Sequence, residues 1–341
     1  MMTVTPATVS ASLCALCALA MGVAIRRGTT CAVAAVNQIV DERKCGRLLT
    51  LAAASIVVFG GLLLAQARGL LFSVPPGYAV TRLTVAGGVL LGLGASLNGA
   101  CALGTIARIG AGQWSYLATP IGFYAGCRVG AQGLAATLPR VSHDSPALHA
   151  PASAALPLFA VIAWLVACSI RARGMNGRLV PTDDGLDEVV RASWSGHVAT
   201  AVIGLTYVVL FVVDGAGSYT DTLFDIARGH TAGGVSRMIL LGALLLGAMS
   251  TRIACAMQGS GFRASPVTLV QLCRCFGGGV LMAWASLLIP GGNDSLLLVA
   301  TPLLQPYAWV AFTAMCVSIG TATVARRMLR ERRQRPLRAP A

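Results

Sequence analysis

The sequence predicts an all-α polytopic membrane protein: about nine transmembrane helices plus four short half-helices, arranged as inverted repeats in an hourglass shape. Three observations carry that prediction. The chain is 56% hydrophobic and 11% charged, whereas soluble domains carry about 25% charged residues, so it cannot cover a water-facing surface. Apolar stretches of the roughly 18 residues needed to cross a bilayer occur at 7–25, 48–66, 80–98, 114–133, 153–171, 193–213, 234–250, 266–289 and 305–325. Arg and Lys gather in alternate connections, which is the positive-inside pattern.

The first stretch, 7–25, lacks a basic leader and an obvious cleavage site, so it reads as a retained helix and not a signal peptide. The basic connections are "RR…DERKCGR" (26–47), "RARGMNGR" (171–178) and the tail "RRMLRERRQRPLR" (326–338). With those three on the cytoplasmic side, an odd helix count puts the N-terminus in the periplasm and the C-terminus in the cytoplasm of a bacterial inner membrane. The net charge of +14 therefore reads as contact with anionic headgroups of the lipid bilayer and not with nucleic acid, for which no binding module is present. The basic tail 326–341 reads as a solvated anchor.

The connector 172–192 divides the chain into a first pseudo-repeat at about 7–135 and a second at about 193–325, with 153–171 as a bridging helix. Four spans on each side of the bridge make the second repeat inverted. One sequence correspondence supports this: "GGVLLGLGASLNGACALG" (87–104) parallels "GGVLMAWASLLIPGGNDSLL" (278–297). Both open on GGVL, carry an Ala-Ser pair and reach a break of small residues. With a one-residue insertion Cys101 falls opposite Asn293. A competing likeness aligns "LLGALLLGAMSTRIACAMQGSGFRAS" (240–265) with the same stretch, Cys255 opposite Cys101, but helix counting gives those two the same orientation.

About eight apolar residues follow each break, 102–109 and 294–302, covering roughly 12 Å at 1.5 Å per residue. That is less than half of the hydrocarbon core, so each reads as a half-helix. Two more occupy matching positions, "RRGTTCAVAAVNQIV" (26–40) with Cys31 and "GSYTDTLFDIARG" (217–229). The first-half pair enters from the cytoplasm and the second-half pair from outside, so the four meet near the midplane.

Irregular backbone at membrane depth is tolerated where it is buried in protein or lines an aqueous cavity. Half-helix N-termini present unpaired N–H groups and the positive end of the helix dipole, and so receive anions without a buried Lys or Arg. Asn98, Gly99 and Gly104 around Cys101, and Gly291 and Gly292 before Asn293, let the backbone come close to a ligand. A neutral thiol is a weak, polarisable partner, suited to passing a soft sulfur-containing anion without trapping it. Cys31, Cys101 and Asn293 are the candidate pathway residues. The competing reading is that they are small residues filling helix crossings.

Other chemistry is not indicated. The spans hold no central Asp, Glu or Lys of the kind used in proton relays, and there is no P-loop. The four histidines, His143, His149, His197 and His230, lie in or near loops. Cys273 and Cys275 form a CxC pair without a second ligand cluster, so no metal and no cofactor is expected. Asp294 beside the second break would repel an anion unless turned away or capping its own short helix.

These phrases resemble the YeeE/YedE family of sulfur-transport membrane proteins. "RRGTTCAVAAV" is similar to its Arg-Gly-x-x-Cys opening, and "GLGASLNGACALGTIARIGAG" to its GGC-x-x-G-x-x-x-R-x-G-x-G phrase. In the latter Ala100 replaces the second glycine, while Arg108, Gly110 and Gly112 are kept. "GGVLMAWASLLIPGGNDSLLL" resembles a third phrase that normally ends in GGC. The resemblance implies a nine-helix hourglass through which thiosulfate passes three cysteines, matched here by Cys31, Cys101 and, as a departure, Asn293. It implies a permease, not an enzyme, with a small inorganic sulfur anion as substrate and a small cytoplasmic sulfur-carrier protein as a partner. The asparagine opens the substrate to sulfite, sulfate or a selenium oxyanion. Two alternatives stand beside the permease: a sulfur-transfer enzyme forming a persulfide on Cys31 near Arg26 and Arg27, and a non-transporting subunit of a sulfur-handling complex.

Overall fold

The structure, a computed structural model, describes residues 6–28, 30–71, 74–133, 140–141, 151–175, 194–229, 234–257 and 266–334. Among these, six helical stretches are long and apolar enough to cross a membrane: Val9–Glu42, Gly46–Ala67, Arg82–Gly110, Gly196–Arg228, Leu269–Leu288 and Pro306–Arg332. The chain is an all-α polytopic membrane protein. The first, third and fourth stretches each contain a break, after which a short helix follows a long one.

In chain order the helices are α1 (Pro6–Gly28), α2 (Ala32–Glu42), α3 (Gly46–Ala67), α4 (Arg82–Asn98), α5 (Ala102–Gly110), α6 (Ala118–Gly133) and α7 (Ala155–Met175). The remainder are α8 (Gly196–Asp214), α9 (Tyr219–Arg228), α10 (Gly234–Met257), α11 (Leu269–Leu288), α12 (Asn293–Ser295) and α13 (Pro306–Gln334). The strands β1 (Gly77–Tyr78) and β2 (Arg140–Val141) form a two-residue antiparallel ladder. Of the connector 172–192, the first residues continue α7 to Met175 and the rest lie outside the described residues, as do His143, His149 and His230.

Lipid-like interiors give helices little hydrophobic reason to associate, so close backbone approach does much of the work. α1 and α10 cross on reciprocal glycines. A Cβ on Gly22 would lie 2.0 Å from the Leu244 carbonyl oxygen, and one on Gly247 would lie 2.0 Å from that of Leu19. α1 also packs on α8, α3 on α8, α4 on α11 and α13, and α6 on α11. Large apolar residues such as Leu16, Trp164, Leu205 and Val317 remain exposed on the outer faces, the positions that lipid would cover.

One element adds to the sequence reading and another departs from it. The basic tail begins as helix: α13 runs to Gln334, because 326–334 holds strong helix formers without Gly or Pro and Arg327 pairs with Glu331 one turn on. The rest of the tail, 335–341, lies outside the described residues. The segment expected as one half-helix at 294–302 is instead a single α turn followed by a π turn at Leu296–Ala300. Pro302 explains this. Its ring crowds the carbonyl four residues back and it has no N–H to donate. The wider turn carries Thr301 N–H to the Leu296 carbonyl at 2.9 Å. The Leu297 carbonyl, deprived of a donor, takes the Ser55 hydroxyl of α3 at 2.7 Å.

Candidate functional site

The break after α4 is built by Asn98 and Gly99. Gly99 takes φ 81° as the left-handed C-cap, a conformation cheap for glycine. Asn98 is fully buried and locks the break from inside. Its Nδ2 donates to the Ala100 carbonyl at 2.8 Å and to Thr105 Oγ1 at 3.0 Å, while its Oδ1 accepts from Thr119 Oγ1 at 2.8 Å.

Cys101 then caps α5, its Sγ accepting from Gly104 N–H at 3.5 Å. The same sulfur accepts from Ala32 N–H, the first residue of α2, at 3.3 Å. Cys31 holds the cap position of α2 with extended backbone, and its thiol lies against the first turn of α5. A Cβ on Gly104 would come within 2.5 Å of Cys31 Sγ. From the other half, Asn293 Oδ1 accepts from Ala102 N–H, the first residue of α5, at 3.1 Å.

The three candidate residues therefore meet at the start of α5, each touching a helix N-terminus whose amides lack intrahelical partners. The sequence correspondence is offset here. Cys101 is a cap, whereas Gly292 is the cap of α12 and Asn293 its first helical residue. Gly291 has φ 106°, and a Cβ on Gly292 would meet the Thr220 side chain, so both glycines are required by the turn. Cys101 is 1% and Asn293 4% exposed, while Cys31 is partly exposed. Behind them Arg108, in the last turn of α5, stacks 5.0 Å over Tyr116.

A void of about 10 Å³, room for about one water, separates Ala102 and Thr105 of α5 from Thr220, Gly292 and Asn293. On its far side Thr220, Ser286 and Gly292 also line an open vestibule of about 890 Å³. The vestibule is flanked by Pro75, Pro76 and Tyr78 of the connection after α3, and by Gln305 and Tyr307 at the start of α13. Tyr78 and Tyr307 meet edge to face at 5.3 Å.

Sequence reasoning missed the partner of Asp294. The carboxylate is fully buried and turned away from Asn293's contacts, and it caps α9 and not its own helix. It accepts from Thr220 N–H at 3.0 Å and also from the Thr220 hydroxyl. Ser218 and Asp221 form the capping box of α9, and Ser295 joins them through a hydroxyl contact to Ser218 at 2.7 Å. The S-x-x-D spacing of 218–221 was the one signal in the sequence for this cluster. Its link to residues some 74 positions later has no local signature.

Fold and site define a multi-pass α-helical membrane protein whose short helices converge on a narrow void below a large vestibule. Residues 27–323 match the family described as sulphur transport, and the chain belongs to that family, YeeE/YedE. Over 260 residues it is 25% identical to the thiosulfate transporter TsuA of Escherichia coli (strain K12), a match covering 70% of this chain and 73% of that protein.

Proposed function

We propose that the protein is a bacterial inner-membrane permease that passes a small sulfur-containing anion, thiosulfate or a close analogue, through the constriction at Cys31, Cys101 and Asn293. The observation that carries this reading is the seating of Cys101 Sγ and Asn293 Oδ1 on the first-turn amides of α2 and α5. These two acceptors occupy N–H groups that an anion's oxygen or sulfur would use. The protein's own side chains fill them while the void is closed.

The architecture around the constriction favours alternating use of two halves. Exchanging α1 through α6 with α8 through α13 maps the packing of α1 on α10 onto that of α8 on α3. It likewise maps α6 on α11 onto α13 on α4, α2 on α13 onto α9 on α6, and α5 on α10 onto the π turn on α3. Such pairing supports nine spans, an inverted repeat and an hourglass with the N-terminus periplasmic. On that topology the vestibule opens to the periplasm, and a small cytoplasmic sulfur-carrier protein is the proposed acceptor on the opposite face.

The test is uptake of radiolabelled thiosulfate by proteoliposomes holding the wild-type chain, Cys101→Ala or Asn293→Cys. Wild-type uptake above empty liposomes that falls with Cys101→Ala is the expected result. Uptake by the wild type equal to that of empty liposomes refutes thiosulfate as substrate, and equal uptake by Cys101→Ala refutes the role of that thiol. A rise with Asn293→Cys places this position on the route.

A further inference from the structure

The structure brings two carboxylates together where the spans read in sequence contain none. Asp221 lines the vestibule beside Gly291 and Ser295. Asp294 is fully buried one residue from Asn293. Hydroxyls join them without a gap. Asp221 Oδ2 accepts from Ser218 Oγ at 2.8 Å and from Ser295 Oγ. Ser218 Oγ contacts Thr220 Oγ1 at 3.2 Å, and Thr220 Oγ1 donates to Asp294.

Neither carboxylate belongs to an ion pair among the described residues. The nearby cations are engaged elsewhere, Arg237 of α10 with Asp225 and Arg228 of α9 over the Phe224 ring. The other titratable groups facing the pair are Tyr207 and Asp214 of α8, Tyr219 of α9, and Tyr307 of α13 beside Tyr78. Both carboxylates are held at the start of α9, Asp221 accepting also from Ser218 N–H at 3.1 Å and Asp294 from Thr220 N–H at 3.0 Å. Two carboxylate charges side by side at this depth with no cation between them are still costly, and one bound proton lowers that cost.

A second observation points into the same place. A side cavity of about 80 Å³ is lined by Asp294, Ser218, Tyr219 and Tyr207. Tyr207 is 2% exposed, and its hydroxyl has no hydrogen-bond partner among the described residues. A buried hydroxyl without a partner is costly, and this one belongs to a residue that lines the cavity together with Asp294.

We propose that Asp221 and Asp294 are a proton-binding pair joined by the Ser218–Thr220 hydroxyl chain, and that anion passage is coupled to proton uptake from the vestibule. Asp221 takes one proton from vestibule water. Each hydroxyl accepts one proton and releases one, so a single proton moves from Asp221 to Asp294 and only O–H bonds are exchanged. The oxygens of Asp294 face Thr220 and not the Asn293 contact, but a charge on the adjacent residue acts through low-dielectric protein, and protonation removes that repulsion of a dianion. An unprotonated Asp294 holds the route shut to anions, and this links the two fluxes. The proton leaves to the opposite side once the constriction has opened there.

This rests on the proposed anion permeation, and the experiment separates the two. The full chain is reconstituted in liposomes with the membrane potential clamped at zero. Thiosulfate exchange at equal pH reads permeation alone. An inward gradient of about two pH units then reads coupling, with accumulation approaching about 100-fold for one proton per anion. In Asp294→Asn the stimulation by the gradient disappears. Wild-type exchange that ignores a proton gradient, or follows a sodium gradient instead, overturns the proposal and leaves permeation standing. Should exchange itself be absent, infrared difference spectra between about pH 5 and pH 8 decide. A protonated-carboxyl band lost in Asp294→Asn or Asp221→Asn supports the proton site, and the absence of such a band overturns it.

Discussion

Gly104→Ala tests the constriction most directly, because the added methyl has nowhere to go. Its Cβ would lie 2.5 Å from Cys31 Sγ, 3.1 Å from Cys31 Cβ and 3.2 Å from Ala100 Cβ. Restoring an ordinary carbon–sulfur contact needs a separation of roughly 1 Å. Because Cys31 and Ala32 are adjacent, that shift draws α2 off α5 and stretches the 3.3 Å hydrogen bond from Ala32 N–H to Cys101. Overpacking of this kind costs about 1–3 kcal/mol. Alanine returns up to about 1 kcal/mol in helix propensity over glycine, so the net expectation is a destabilisation of about 1–2 kcal/mol. The assay is the thermal unfolding midpoint of the purified protein in detergent, read beside thiosulfate uptake. Gly104→Ala lowers both, and adding Cys31→Ala recovers most of the lost stability because the sulfur is the nearest clash. A Gly104→Ala protein that melts at or above the wild type would refute the packing of Cys31 on α5. Failure of the second substitution to recover stability would assign the loss to another contact.

Three further outcomes follow from the same contacts. Asn98→Ala strips a fully buried side chain that makes three hydrogen bonds and leaves their partners unpaired. A loss of about 1–3 kcal/mol per abandoned group is expected in thermal melts, and an unchanged midpoint contradicts it. Ser55→Ala removes the donor at the Leu297 carbonyl and should lower the midpoint by a similar single-group amount, whereas Ser55→Thr, which keeps the hydroxyl, should not. A membrane-impermeant maleimide given access to both faces is expected to modify exposed Cys45 quickly, partly exposed Cys31 more slowly and Cys101 least, as read by mass spectrometry. Modification of Cys101 ahead of Cys31 would contradict the closed constriction.

The class of the protein was legible because membrane composition is a global property. A chain of 11% charge has one solvent that suits it. The breaks were legible for a local reason: Asn98-Gly99 and Pro290-Gly291-Gly292 interrupt otherwise continuous apolar helix, and glycine at positive φ ends helices by known chemistry. Counting helices and matching phrases reached the expectation that the segments carrying Cys31, Cys101 and Asn293 meet near mid-depth, but not that the three residues gather at the start of α5. The π turn was not reached, because the effect of Pro302 depends on a hydroxyl from α3 that no neighbouring residue announces. The Asp221–Asp294 cluster escaped for a related reason. A search for charges in the middle of spans passes over carboxylates placed in the loops and caps between them, and those are the segments that the fold carries back to mid-depth. The offset between Cys101 and Asn293 was likewise hidden, since a one-residue insertion decides which residue becomes the cap.

The seating of Cys101 and Asn293 on the amides of α2 and α5 has a consequence for what the closed protein excludes. On the proposed route an ion must displace two resident acceptors at once, a sulfur on the first amide of α2 and an oxygen on the first amide of α5. Chloride is abundant in every buffer a cell meets, yet it carries a single accepting centre and can replace one of them but not both. An anion with a terminal sulfur and several oxygens spans the two positions. On that route, selection would follow the number and spacing of the guest's acceptor atoms, and the resting seal against small ions would be made of the protein's own side chains.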